Sequence, residues 1–578
     1  MKKVNVCILA SCVLALTACG GMQKMADMAK QVQYDVNPKV LEMHGDSVEM
    51  EMKVTFPPKY FIAGVTLELT PVLKYEGGEK SFPSKTIQGE KVQANNEVCS
   101  FANGGTFTLN AAKVAFEEGM RNAELFVVAK ATMKGKSLIL PDNKVADGVM
   151  STALLLEKDA KTIAAADKFQ RITTDEKGAT LFFVINKADI SSKELKKDEV
   201  AALQQFIKSA AADGKEIKGI TISAYASPDG EESLNDKLAA NRMNNSAKFF
   251  QQELKKAKIK ATDSVYRKTS LAEDWDGFKT LMQQSDIQDK ELILRVLSMY
   301  SDPVVREKEI KNISAAYEEI ADKILPQLRR SKLSVNIAII GHSDEEIKEL
   351  IASDGELTVE EMLYAATLTE DNAEKLSIYK KAADKYADDW RTINNVGHIN
   401  YLMGNIADAK AAFEKAKGID ASNTTVLNNL GACAYAEGDA AAAKEYYDAA
   451  AGAGDEVSYN QAVILTQKGD YEAALNLYVA SKFESFNWAL AKLLNYSNTK
   501  NADVFDASLG ILNKIEDQND PKIAYLKAVI SARKQDKDGI VNNLKVAAEK
   551  DASLGAYAAK DIEFAQYADD ADFKSVVK

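Results

Sequence analysis

Histidine is almost missing: three in 578 residues, His44, His342 and His398, with no metal-ligand spacing among them. No glycine-rich phosphate loop, nucleophile elbow or cysteine pair is found either. Carboxylates are so many that no pair of them is informative; on helices they read as solvated faces. These absences argue against an enzyme, and no cofactor or metal is expected. Basic charge is also short, with a formal net charge of -12, which disfavours nucleic acid as a partner. The one long apolar run, Val4 to Ala18, follows Lys2 and Lys3 and is too short to cross a bilayer. It reads as an export signal, and its removal takes the charge to -14. Cys7 and Cys12 leave with it, so Cys99 and Cys433 remain as thiols. They lie in different regions and are not expected to form a structural disulfide.

What is present begins where that run ends, at Leu16-Thr17-Ala18-Cys19-Gly20. This stretch resembles the lipobox of bacterial lipoproteins, in which cleavage precedes a cysteine that is then acylated. The resemblance makes 1–18 a signal peptide, Cys19 the lipid attachment site and 19–38 a lipid-anchored tether. More than one acyl chain makes such an anchor lasting. Surface-exposed lipoproteins of Bacteroidota tend to carry acidic residues just behind the cysteine, and Gly20 to Lys24 have none. The expected location is therefore the outer membrane, facing the periplasm.

The length calls for several domains, because a single core stops growing at about 250–300 residues. From Val40 the pattern has period two. Val48, Met50, Met52, Val54 and Phe56 alternate with polar residues, the mark of a strand with one buried face. Gly64 to Tyr75, Gly104 to Ala111 and Ala123 to Lys134 continue the series between turn residues. The spacing predicts an Ig-like β-sandwich over 39–157, with Val145 to Lys168 leaving it as a linker helix.

Next, an apolar strand at Leu181 to Ile185, an amphipathic helix closed by Gly214 and a strand at Ile220 to Tyr225 indicate a βαβ-type unit. Ser227-Pro228-Asp229-Gly230 suits a type I turn, and Ser233 or Asn235 is a plausible cap for the helix behind it. Asn235, Leu238 and Arg242 share one face of that helix. A carboxylate at the turn, a cation about two turns in and the positive helix end together favour a charged ligand. The final strand is Lys332 to Ile340, preceded by a helical insertion at about 263–331.

These residues resemble the OmpA-like peptidoglycan-binding domain, in which a carboxylate turn leads to an Asn-x-x-Leu-x-x-x-Arg helix. The match here is Gly230, Asn235, Leu238 and Arg242. In that family an Asp and an Arg hold the ammonium and the carboxylate of diaminopimelate in the peptidoglycan stem peptide, a choice that charge complementarity explains. The resemblance assigns this role over 165–345 to Asp229 and Arg242, with Asn235 and Ser227 beside them. There is a departure: the family's Asp position falls on Ser227, and Asp229 lies two residues later. Either Asp229 reaches the same point by another turn, or the site is weakened. The plain alternative makes Asp229 a turn former and Arg242 a solvated cation. Ala226-Ser227-Pro228-Asp229-Gly230, Glu273 to Gly277 and Leu325 to Ser331 resemble the Bacteroidota form. Within the last stretch, Arg329 and Arg330 suit either contact with a polyanion or support of the sheet edge, and the second is the expected role.

From Thr358 alanine dominates and a period of 34 appears. Gly397, Gly404, Ala409, Phe413 and Ala416 recur as Gly431, Gly438, Ala443, Tyr447 and Ala450. That is the tetratricopeptide (TPR) period. Tyr379 and Ala382 extend it backwards, and Gly469, Ala474 and Tyr478 forwards. An all-α solenoid over 355–578 offers a concave surface for a peptide or protein. The expected fold is multidomain α+β, and the expected function is a lipid-anchored tether. It would bind peptidoglycan through its OmpA-like domain and envelope proteins through its repeats. The rival is an assembly or secretion scaffold whose OmpA-like domain no longer binds peptidoglycan; a surface adhesin is the third reading.

Overall fold

The computed structural model describes residues 20–312 and 314–577. Cys19 and the signal peptide lie outside the described residues. The chain forms two compact units: residues up to Ala166 together with Asp371 onward, and Asp167–Glu370. The three regions read from the sequence are thus two bodies in space, because the β-rich region and the repeats share one of them.

The alternating segments fold as read. Ser47–Phe56, Thr66–Tyr75, Gly105–Ala115 and Glu124–Met133 are strands, and the first buries every second side chain. They belong to two largely antiparallel sheets, with Val54 opposite Phe107 in one and Leu67 opposite Ala131 in the other. Buried residues of both sheets join a single cluster that includes Val54, Phe56, Leu67 and Val127. The expected tether does not hang free over its described part. Gly20–Asp27 is a helix whose Met22 and Met25 are buried in that same cluster, and Gln33–Asn37 pairs with Ser47–Phe56. Two thioethers one helical turn apart on one face account for the docking.

The repeats are helical hairpins from Asn372–Lys385 onward, and the glycine period has a direct cause. A Cβ on Gly397 would stand 2.6 Å from the Phe413 ring, and one on Gly431 2.6 Å from the Tyr447 ring. The aromatic of the second helix thus lies against bare backbone of the first. A charged joint ties the last repeats to the β-rich region. The Arg533 guanidinium, almost wholly buried, is held by Glu563 and by Glu42 at 2.7 Å, and the Thr152 hydroxyl also donates to Glu563. Burial lowers the Arg533 pKa, but the two carboxylates outweigh it and leave the group more firmly charged.

The Asp167–Glu370 unit is built on a four-stranded sheet in the order Ile172–Phe182, Arg330–Ile340, Glu216–Tyr225, Tyr266–Leu271. The last pair is parallel and the others antiparallel, so the Glu232–Lys256 helix makes a βαβ crossover. The first strand lies earlier than the expected Leu181 to Ile185, because its partner strand starts only at Arg330 and pairing ends at Phe182. Tyr266–Leu271 was missed within the insertion: as an edge strand with mostly exposed side chains, it carries no apolar alternation. The insertion helices begin at Trp275 and enclose a small core of their own around Phe278, Met282 and Leu325.

Candidate functional site

Ser227, Asp229, Asn235 and Arg242 are brought together, but not in the roles expected of them. The Asn235 side chain donates to the carbonyls of Ser227 at 3.0 Å and Gly230 at 2.9 Å, pinning the turn to the helix. It does not cap the helix, and neither does Ser233: the helix starts behind Glu231 without a side-chain cap. Arg242 is not a solvated cation. It is 0% exposed, lies 5.2 Å from the Phe183 ring centroid and donates to the carbonyls of Lys187 (3.1 Å) and Tyr225 (2.9 Å). Among the described residues, its Nη2 has no hydrogen-bond partner.

Among the described residues, no hydrogen bond joins Asp229 to Arg242. Asp229 is taken instead by Arg329, whose Nη2 donates to Oδ2 at 3.1 Å. The Arg329 Nε donates to the Ser227 hydroxyl at 3.1 Å, and that hydroxyl donates to the other Asp229 oxygen. Arg330, likewise, binds Asp274 at 2.6 Å. The two arginines expected to brace a sheet edge are therefore each paired with a carboxylate. Burial first, and then the Arg329 charge, lower the Arg242 pKa to about 10, with Asp229 opposing. The cluster sets two guanidinia against one carboxylate.

The second site was not foreseen. Val145 to Lys168 does not leave the β-rich region as a helix. After a short helical turn at Thr152–Leu155 the chain runs without helix or strand through the repeats. There its backbone is gripped by asparagines. Asn395 accepts from the Ala165 N–H at 2.7 Å and donates to the Ala165 carbonyl at 2.9 Å. Asn429 does the same at Ile163 (2.7 and 2.8 Å), and Asn460 at Lys161 (2.7 and 2.8 Å). Asn487 does so at Glu157, with both bonds 2.9 Å. A primary amide offers one acceptor and two donors, so it matches the N–H and C=O of one extended residue. In an extended chain both groups of a residue point to the same side, which explains the spacing of two between Lys161, Ile163 and Ala165.

These asparagines lie on the first helices of successive hairpins and are buried. Asn394 and Asn428 reinforce them. They donate to the carbonyls of Ile163 (3.1 Å) and Lys161 (3.0 Å) and accept from Asn429 (2.9 Å) and Asn460 (3.0 Å). Side chains of the held segment are engaged as well: Glu157 pairs with Lys522 at 2.8 Å, and the Lys161 ammonium lies 4.4 Å from the Tyr459 ring centroid. The Asp159 carboxylate accepts from the Tyr459 hydroxyl at 2.5 Å and Asn487 at 2.7 Å, and Thr162 bonds His398 at 2.8 Å. Burial pushes the Asp159 pKa up to about 6, against the Tyr459 bond and Lys161. The signal was in the sequence: Asn394-Asn395 recurs at the repeat offset as Asn428-Asn429.

Among known families, the tetratricopeptide repeat matches residues 391–423. No curated protein matches the chain. Among solved structures, a tetratricopeptide repeat protein from Parabacteroides merdae is 12% identical over 36% of this chain and 88% of its own, with a TM-score of 0.29. PilF of Pseudomonas aeruginosa is 14% identical over 40% of this chain and 97% of its own, at 0.28. YrrB, described as a TPR protein with an unusual peptide-binding site, is 18% identical over 38% and 100%, at 0.21. The C-terminal half of the chain thus carries a tetratricopeptide-repeat region.

Proposed function

We propose that this protein is a non-enzymatic scaffold of the bacterial outer membrane, lipid-anchored through Cys19, facing the periplasm and holding envelope proteins through its repeats. The observation that carries the scaffold reading is the row of buried asparagines spaced to hold the backbone of an extended chain. The anchor rests on the lipobox resemblance of Leu16 to Gly20. Crosslinking through the repeats in cells, read by mass spectrometry, tests the scaffold; recovery of no envelope protein would end it. Acyl labelling tests the anchor, since lipid retained by Cys19→Ala would refute the assignment.

Between the two expected forms of the scaffold, the geometry favours the one whose OmpA-like domain no longer binds peptidoglycan. Asp229 is spent on Arg329 and so is not free for an ammonium group, and Arg242 has no exposed surface. One observation favours the other form: the unpartnered Nη2 of Arg242 and the surplus guanidinium would suit the carboxylate of a stem peptide once Arg329 moved aside. Sedimentation with purified sacculi separates the two. No binding is expected, whereas binding that is lost in both Asp229→Ala and Arg242→Ala would restore the cell-wall role.

A further inference from the structure

We propose that the asparagine face of the repeats is a binding site for an extended partner polypeptide carrying a carboxylate followed by a small residue, and that residues 157–166 occupy it in cis as a built-in competitor. The inference rests on the scaffold reading and names the chemistry of its partner. At Glu157, Lys161, Ile163 and Ala165 the asparagines meet main-chain groups alone, N–H and C=O together. Any extended chain without proline at those places presents the same groups.

Side-chain contacts run from Glu157 to Thr162: the Glu157 carboxylate pairs with Lys522 at 2.8 Å, the Lys161 ammonium lies 4.4 Å from the Tyr459 ring centroid, and Thr162 bonds His398. Between them the Asp159 carboxylate meets Tyr459 and Asn487, and Ala160 is buried in an apolar cluster that also holds Tyr435, Tyr447 and Tyr459, which favours a small side chain there. Lys158, Ala164 and Ala166 are exposed, so nothing selects their side chains. A permanent strut would be sealed by large apolar residues, yet within 157–166 only Ala160 and Thr162 are buried. Polar groups matched to any main chain, with little apolar surface to lock in one sequence, make a site whose occupant can be exchanged.

The test uses the full chain and a fluorescein-labelled peptide with the sequence of Glu157–Ala166. Lys161→Pro with Ile163→Pro removes two of the N–H donors in the cis segment and should open the site. Peptide binding, followed by anisotropy, is expected to be at least roughly tenfold tighter to this variant than to the unaltered chain. It should fall by about tenfold or more when Asn429→Ala and Asn460→Ala are added, and severalfold for a peptide carrying Asp159→Lys. Equal binding to opened and unaltered chains, or no binding to an opened chain that keeps its helical melt, overturns the proposal. Hydrogen exchange on the unaltered chain tests it without a variant. The Lys161, Ile163 and Ala165 amides should exchange well ahead of those in Thr424–Ala436. Exchange at the same rate would mean that the segment leaves only when the repeats unfold, which also overturns it. A chain that rejects the peptide but still crosslinks to envelope proteins through its repeats would end this inference and leave the scaffold standing.

Discussion

The two polar clusters of the molecule solve opposite problems. In the repeats, uncharged amides meet uncharged backbone, and each of the four gripping asparagines has both ends of its side chain engaged. In the Asp167–Glu370 unit, Arg329 takes the Asp229 carboxylate, Arg242 bonds only backbone carbonyls, and among the described residues its Nη2 is left over. The difference shows what buried polar groups are for. Neutral amides can hold a long stretch of chain whatever its side chains, at little cost when every bond is made. A charged cluster fixes one geometry, and every missing partner is costly.

The largest break in that comparison should come from Asp229→Ala. It leaves the buried Arg329 guanidinium without its carboxylate, beside the Arg242 charge, and is expected to destabilise the Asp167–Glu370 unit by about 3–5 kcal/mol. Calorimetry should resolve this as the fall of one of two transitions, with the other unmoved. Asn429→Ala should be milder, about 1–3 kcal/mol, because it strands the Ile163 N–H and the Asn394 side-chain oxygen while Asn394 still serves the Ile163 carbonyl. Proteolysis between Glu157 and Ala166 should rise with it.

A smaller effect separates the Asp159 carboxyl from the amides that grip the backbone. Held in place, Asp159 has its pKa raised above the usual carboxylate value to about 6, chiefly by burial. The docked segment therefore binds a proton that the free segment has lost. Its hold should be strongest below the ordinary value near 3.8 and weaken as pH rises to about 6. The carboxyl still exposes 37% of its side-chain surface, so the change should be modest. Protection of the Ile163 amide at pH 5 and pH 7.5 measures it, and Asp159→Asn should abolish the difference. Least affected should be the response to salt: between 0.05 and 1 M sodium chloride, cleavage within 157–166 is expected to change by less than about twofold, since the amide pairs carry no net charge to screen and the Glu157–Lys522 ion pair, partly exposed, contributes little.

How much of this was legible depended on whether a pattern was local. Strands such as Ser47–Phe56 declared themselves through alternation, and the hairpins through Gly397 and Gly431 at a fixed offset from Phe413 and Tyr447, because each signal lies within a few dozen residues. Residues 157–166 misled for the same reason. Their alanines and lysines favour helix locally, but Asn395, Asn429, Asn460 and Asn487, some 230–330 positions away, offer the backbone better partners. In the predicted site, the turn and the Asn235 to Arg242 helix were read correctly as neighbours. Its electrostatics were not, because the deciding cation, Arg329, returns to the sheet about 100 positions after Asp229.

The helix at Gly20–Asp27 bears on how far the body could stray from a membrane if the proposed anchor holds it there. Met22 and Met25 are inserted in the β-rich core, and the helix that carries them includes Gly20, the neighbour of the proposed acylation point. An anchor at Cys19 would leave almost no slack. The β-rich region would ride at headgroup level, and any reach into the periplasm would have to come from the dimensions of the folded protein rather than from a flexible leash.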